Sequence, residues 1–107
     1  MNVCDKLQMK GIPLYYKDIV LLCQKYRINE FSIFGSSLRD DFTDASDIDI
    51  LVSFDEEAPI TLFGIMDIEK ELGTLLRRKV DLVEKEALRN PIRKKIILET
   101  REVVYAA

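Results

Sequence analysis

The chain has no histidine and only two cysteines, Cys4 and Cys23. Without histidine, a serine or cysteine nucleophile cannot be activated by an imidazole, and the common zinc sites are excluded. Two cysteines do not make a disulfide framework. Acid–base work therefore falls to carboxylates, and a metal here must be one that accepts oxygen ligands. No apolar run approaches the ~20 residues needed to cross a bilayer. The opening M-N-V-C-D-K-L-Q-M-K mixes charges among its apolar residues and has no signal-peptide core. Basic surplus is lacking too: 16 Lys and Arg stand against 19 Asp and Glu, net charge −3, which argues against direct nucleic-acid binding. There is no internal repeat, linker or low-complexity segment. The expected location is the cytoplasm, with no membrane contact.

What remains is an ordinary globular composition, 48% hydrophobic and 33% charged over 107 residues. That length predicts one domain, 1–107, around a modest core. Residues 1–10 read as a short lead-in or frayed helix, punctuated by Gly11 and Pro13. From Leu14 to Arg27, Tyr15, Ile19, Leu22, Cys23 and Tyr26 recur at helical spacing, with Cys23 as a small core residue and Tyr16 off the stripe. Asn29-Glu30 is expected to turn the chain into a strand over 31–34. A second strand follows at 47–54, then an acidic turn over 55–59. Thr61 caps a helix to about Arg78, with Leu62, Ile65, Ile68, Leu72, Leu75 and Leu76 near one face. Gly64 and Gly73 lie inside it, where close packing against a sheet would account for them. Residues 79–83 read as a third strand, Asn90-Pro91 as a helix start with Ile92, Ile96 and Ile97 inward, and 102–105 as a last short strand. The order α-β-β-α-β-α-β predicts an α/β sandwich, a short central mixed sheet flanked by helices.

The chemistry concentrates between Phe34 and Val52, in F-G-S-S-L-R-D-D-F-T-D-A-S-D-I-D-I-L-V. Side chains alternate along a strand, so Asp47 and Asp49 share one face while Ile48, Ile50 and Val52 share the other. Two like charges side by side are disfavoured unless a cation neutralises them. Asp81, alternating with Val80 and Leu82, leaves the core face of a strand that would neighbour the first pair. Gly35 permits a tight or left-handed backbone. Residues 36–39 would then open a helical turn whose free N–H groups suit an anion. Three carboxylates opposite a Gly-Ser turn fit a divalent metal carrying phosphates. In that scheme a hydroxyl attacks the α-phosphorus, Asp81 helps deprotonate it, and Arg39 lies along the phosphates.

The run G-S-S-L-R-D-D-F-T-D-A-S-D-I-D-I-L-V, followed by V-D-L-V, resembles the minimal nucleotidyltransferases of the DNA polymerase β superfamily. The resemblance covers nearly the whole chain and implies a polymerase β palm-like nucleotidyltransferase fold. It implies that Gly35 and Ser36 form the triphosphate-binding turn and that Asp47, Asp49 and Asp81 are the catalytic metal ligands. Ser46 matches the serine that usually precedes the pair. Asp40 departs from the pattern, standing where these proteins often have glycine. The implied cofactors are Mg²⁺ in a two-metal site and ATP as nucleotide donor. Small members are commonly antitoxins that transfer AMP to a tyrosine of a HEPN-domain toxin partner. The chain has no room for the second domain of an antibiotic-modifying enzyme and no histidine for a HEPN-type RNase motif. Both facts favour an acceptor supplied by a partner protein, with an oligomer or hetero-complex expected.

Other readings are plainer. Arg77-Arg78-Lys79 and Arg93-Lys94-Lys95 are expected as solvated helix ends and faces. Asp55, Glu56 and Glu57 mark a turn. The contrasting functional class is a non-catalytic antitoxin that neutralises its partner by covering it.

Overall fold

The structure, a computed structural model, describes residues 1–57 and 60–107. Its centre is an antiparallel pair, β1 (Ile28–Phe34) and β2 (Ile48–Phe54), in which Ile33 lies opposite Ile50 and Phe34 opposite Asp49. β3 (Val80–Glu84) pairs parallel with β2, and β4 (Glu102–Ala106) pairs antiparallel with β1. The sheet order is β3-β2-β1-β4, so the sheet is mixed, and the last strand belongs fully to it. The neighbour relation between the Asp47/Asp49 strand and the Asp81 strand holds.

One face of the sheet carries the main core. Phe31, Ile33, Ile48, Ile50 and Val52 pack there against α1 (Val3–Met9), α2 (Tyr16–Tyr26) and α3 (Leu62–Leu76) through Leu7, Ile19, Cys23, Ile68 and Leu72. Fully burying each large aliphatic side chain contributes roughly 1.5–3 kcal/mol. Burial also pushes the Cys23 thiol up to about 12, so it is a core residue and not a nucleophile. The opposite face is covered by α4 (Pro91–Thr100), whose Ile97 joins Phe34, Leu51 and Leu88 in a smaller cluster.

Several sequence expectations need correction. Residues 1–10 are not a frayed lead-in: Asn2 caps α1 by accepting from the Asp5 N–H, and Val3, Cys4 and Leu7 are buried. A helix of seven residues with charges between its apolar positions carries too few turns to declare itself by period. Asn29-Glu30 is not the turn. The reversal occurs at Arg27, which ends α2 in the left-handed region (φ 56°), and β1 begins at Ile28. Tyr15 is exposed because it precedes the first helical turn, whereas Tyr16 is exposed as its off-stripe position requires. Leu62 is exposed in the first turn of α3, beside the Thr61 cap that accepts from the Gly64 N–H. A methyl at Gly64 would meet Ile60, and at Gly73 only the Arg78 carbonyl at 3.5 Å, so neither glycine marks close packing on the sheet. Ile92 and Ile96 are 72% and 55% exposed, and only Ile97 of the three is buried. Of the acidic turn, Asp55 accepts from Arg27 and from the Glu57 N–H. Ala58 and Pro59 lie outside the described residues.

Glu30 fastens the second face together. Its carboxylate accepts from Arg101 at 2.7 Å, Lys85 at 3.3 Å and the Ser32 hydroxyl at 3.1 Å, joining β1 to both ends of α4's connections. Desolvation pushes the Glu30 carboxyl up, but the hydrogen bonds from Arg101 and Lys85 outweigh it and leave it below the ordinary value. A depressed acid contributes stability above its unfolded pKa and loses it as pH falls through the folded one. Glu30→Gln is therefore expected to cost roughly 1–3 kcal/mol at pH 7 and much less at a pH below the depressed folded value. Denaturant unfolding at both pH values checks this; an equal loss at each would contradict the assignment.

Candidate active site

The site forms where β1 ends and β2 and β3 begin, on the α4 face of the sheet. Phe34 closes β1, and Gly35 follows with φ 76°, a conformation strained for any residue with a Cβ. Space demands glycine independently. A Cβ at this position would lie 2.2 Å from Asp49 Oδ2 and 3.1 Å from its Cγ. The turn backbone is thus pressed against the Asp49 carboxylate. The expected helical turn over residues 36–39 is present one residue earlier, as a short 3₁₀ turn at Gly35–Leu38. Lys10, the residue that caps the C-terminus of α1, clamps it by donating to the Ser37 and Arg39 carbonyls, each at 2.8 Å.

Asp49 and Asp81 are in-register partners on adjacent parallel strands. Strand spacing puts their backbones about 4.8 Å apart. Asp47 immediately precedes β2, two residues from Asp49 and so on the same side, with its carboxylate 3.9 Å from Lys79. The Asp49 carboxyl is pushed above its ordinary value, first by desolvation, then by the charges of Asp81 and Asp47. Arg93 of α4 and the Ser36 backbone pull it the other way. Three aspartates are therefore brought to one end of the sheet and feel one another. Among the described residues, no three acidic, cysteine or histidine side chains close into a metal-holding group as they stand. The donor set itself suits a hard divalent cation, being carboxylate oxygen throughout, with the neighbouring backbone stripped of its Cβ.

The remaining sequence candidates are less committed. Arg39 is largely exposed and pairs with Asp41 at 3.3 Å. The Ser46 hydroxyl bonds Thr43, at 3.2 Å to both its N–H and its hydroxyl, and so shapes the loop before Asp47. Asp40 sits at negative φ, so the loop needs no glycine there.

Sequence reasoning missed Arg78 and Arg93. Arg78 is not a solvated helix end: it donates to the Thr43 and Ser46 carbonyls at 2.8 and 3.1 Å and stacks 4.6 Å above the Phe42 ring. It holds the loop that delivers Asp47. No sequence signal separated it from Arg77 and Lys79, because the loop it serves is 32 or more positions away. A cleft of about 240 Å³ opens beside Gly35, between Phe34, Leu38 and Arg39 on one wall and Ile96 and Thr100 on the other.

A mixed sheet that presents a Gly-Ser turn from one strand to aspartates on two others is the framework of a nucleotidyltransferase. The chain belongs to that family: residues 20–104 match the nucleotidyltransferase domain model. A Methanocaldococcus jannaschii protein described as a protein adenylyltransferase is 44% identical over 78% of this chain and 82% of its own length. Protein adenylyltransferase MntA of Thermococcus cleftensis is 40% identical over 78% of this chain and 80% of its own. A solved structure described as a minimal nucleotidyltransferase superposes with a TM-score of 0.70 at 26% identity, covering 94% of each chain. A toxin–antitoxin structure with AMP-PNP has the same fold, TM-score 0.72 at 19% identity over 88% of this chain and 75% of that one. The enzyme is a nucleotidyltransferase. No helix among the described residues is long and apolar enough to cross a membrane.

Proposed function

We propose that this chain is a Mg²⁺-dependent protein adenylyltransferase acting in the cytoplasm. As an antitoxin it moves AMP from ATP to a tyrosine hydroxyl of a HEPN-type toxin. The observation that carries the chemistry is the alignment of Asp49 with Asp81 beneath a Gly35 backbone that no larger residue would allow. The acceptor class is supported by the relatives, named protein adenylyltransferases, and by a neighbour of the same fold described as an antitoxin with its tri-AMPylated HEPN toxin.

Asp47, Asp49 and Asp81 would hold Mg²⁺, in one or two sites. Bound there, the ion supplies Lewis-acid stabilisation of charge on the phosphates and the attacking oxygen. The chain's own groups do the rest. The Gly35-Ser36 backbone and the Ser36 hydroxyl receive the outer phosphates, with Arg39 alongside. Asp81 accepts the proton of the tyrosine hydroxyl as that oxygen bonds to the α-phosphorus. The bond from the α-phosphorus to the bridging oxygen breaks, and pyrophosphate leaves with the electron pair. Ser46 and Arg78 contribute by fixing the loop that presents Asp47.

The test is incubation of the purified chain with Mg²⁺ and ATP, with and without its toxin partner, followed by intact-mass measurement. The expected result is a gain of one or more AMP units on the partner alone. A stable complex with no gain would instead mean neutralisation by binding.

A further inference from the structure

Arg93 stands out among the cations of the site because nothing structural uses its side chain. Its backbone N–H is fixed by the Asn90 cap at 3.1 Å, which sets the first turn of α4. One turn further on, Ile97 is buried against Phe34, and Phe34 is the cross-strand partner of Asp49. Residues four apart share a helix face, so Arg93 belongs to the row of α4 that looks at the sheet, one turn toward the helix N-terminus. Among the described residues its guanidinium forms no ion pair and no hydrogen bond, although Lys95 of the same basic run pairs with Glu99 and Arg101 is locked to Glu30. In keeping with that helix face, the Arg93 charge acts to lower the Asp49 carboxyl. Arg39, by contrast, is largely exposed and already paired with Asp41.

We propose that Arg93 is a catalytic residue that donates to the non-bridging oxygens of the reacting α-phosphate, while Arg39 serves the outer phosphates. The assignment rests on the adenylyltransferase reading and adds a residue outside the Gly-Ser and aspartate motifs. Its physical basis is position. Asp49 lies at the centre of the carboxylate row, between Asp47 on its own strand and Asp81 beside it, which is where the adenylyltransferase reading puts the reacting phosphate. Negative charge on that group changes most as pyrophosphate departs, and a planar guanidinium offers it paired donors without reorganisation. The N-terminal turn of α4 adds its own partial positive charge behind the arginine. The helix that carries it is anchored to the sheet by Ile97 and by the Glu30–Arg101 pair, which fixes where the arginine's backbone stands.

Arg93→Gln and Arg93→Lys, assayed on the full chain with Mg²⁺, ATP and the toxin partner, test this. Removing one such donor typically costs roughly 100- to 1,000-fold in rate. The expected result is a loss of that order in the single-turnover rate for Arg93→Gln at saturating Mg²⁺ and ATP. Arg93→Lys, which keeps the charge but not the fork, should recover part of it. Nucleotide affinity, read by calorimetry with AMP-PNP, should weaken less than about tenfold. A role confined to neutralising the aspartates predicts something different: removing the cation would leave the rate at saturating Mg²⁺ unchanged and shift only the Mg²⁺ concentration needed. That outcome overturns the proposal. An unchanged melting midpoint confirms that the variants fold. A wild-type chain that transfers nothing to the partner would count against the adenylyltransferase reading itself, whereas active wild type with fully active Arg93→Gln would count against Arg93 alone.

Discussion

Gly35→Ala is expected to abolish most activity while leaving Asp47, Asp49 and Asp81 in the sequence. Two separate penalties meet at this position. A φ of 76° costs an alanine on the order of 1–2 kcal/mol. The new Cβ would also fall 2.2 Å from Asp49 Oδ2, a distance no pair of non-bonded atoms tolerates. Either the turn retreats or the carboxylate rotates away, and both displace by about an ångström a group to which the proposed reaction assigns the metal or the phosphates. Misplacement of that size costs on the order of 100-fold in rate. Transfer to the partner should therefore fall by at least that factor, with a drop in stability of about 1–3 kcal/mol. A double-mutant cycle with Asp49→Gly isolates the clash. Without the Asp49 side chain, Gly35→Ala should retain only its conformational cost, so the two substitutions couple in stability. Additive stabilities, or a Gly35→Ala rate within threefold of wild type, would mean that the turn and the carboxylate do not share a site.

Legibility in the sequence followed the range of the interactions involved. Asp47 and Asp49 on one face, and Ile48, Ile50 and Val52 on the other, follow from strand alternation alone, and the three apolar residues are fully buried. The Thr61 and Asn90 caps are contacts across two or three residues and stood out for the same reason. What escaped depends on tertiary placement. Whether Arg78 is solvated or holds a loop depends on where residues 43–46 come to rest. The inward row of α4 was misassigned because three isoleucines look alike by hydrophobicity. The helix sits with Ile97 on the small cluster, and Arg93 takes the same face one turn earlier, leaving Ile92 in solvent. Part of that inward face looks onto the site and is polar, which a rule that equates inward with apolar cannot find. The α1 helix was underrated on similar grounds: its anchors are Lys6 to Glu102 and Lys10 to the Gly-Ser turn, both across long sequence separations.

Asp49→Asn should separate the cost of this site from its use. The ionised carboxylate is disfavoured by desolvation and by the charges of Asp81 and Asp47, so in the absence of a cation it weakens the fold that carries it. Its folded pKa lies above the unfolded one, and the penalty is present at neutral pH and relieved as pH falls through the folded value. Asparagine keeps the shape and removes the charge. The variant should melt at an equal or higher temperature than wild type at pH 7, with the difference shrinking toward acid pH. Added Mg²⁺ should raise the wild-type midpoint and not that of the variant, because a ligand stabilises only the state that binds it. Transfer should fall by about 1,000-fold or more, corresponding to the several kcal/mol of charge stabilisation that a positioned metal supplies. The complex with the toxin partner gives the deciding comparison. If the variant still binds the partner but no longer silences it, transfer is the mechanism of neutralisation. If it binds and silences as well as wild type, covering the partner suffices. A variant less stable than wild type would mean that the three aspartates are held by contacts that outweigh their repulsion, and the site would not be the strained, cation-seeking arrangement that their placement around Gly35 implies.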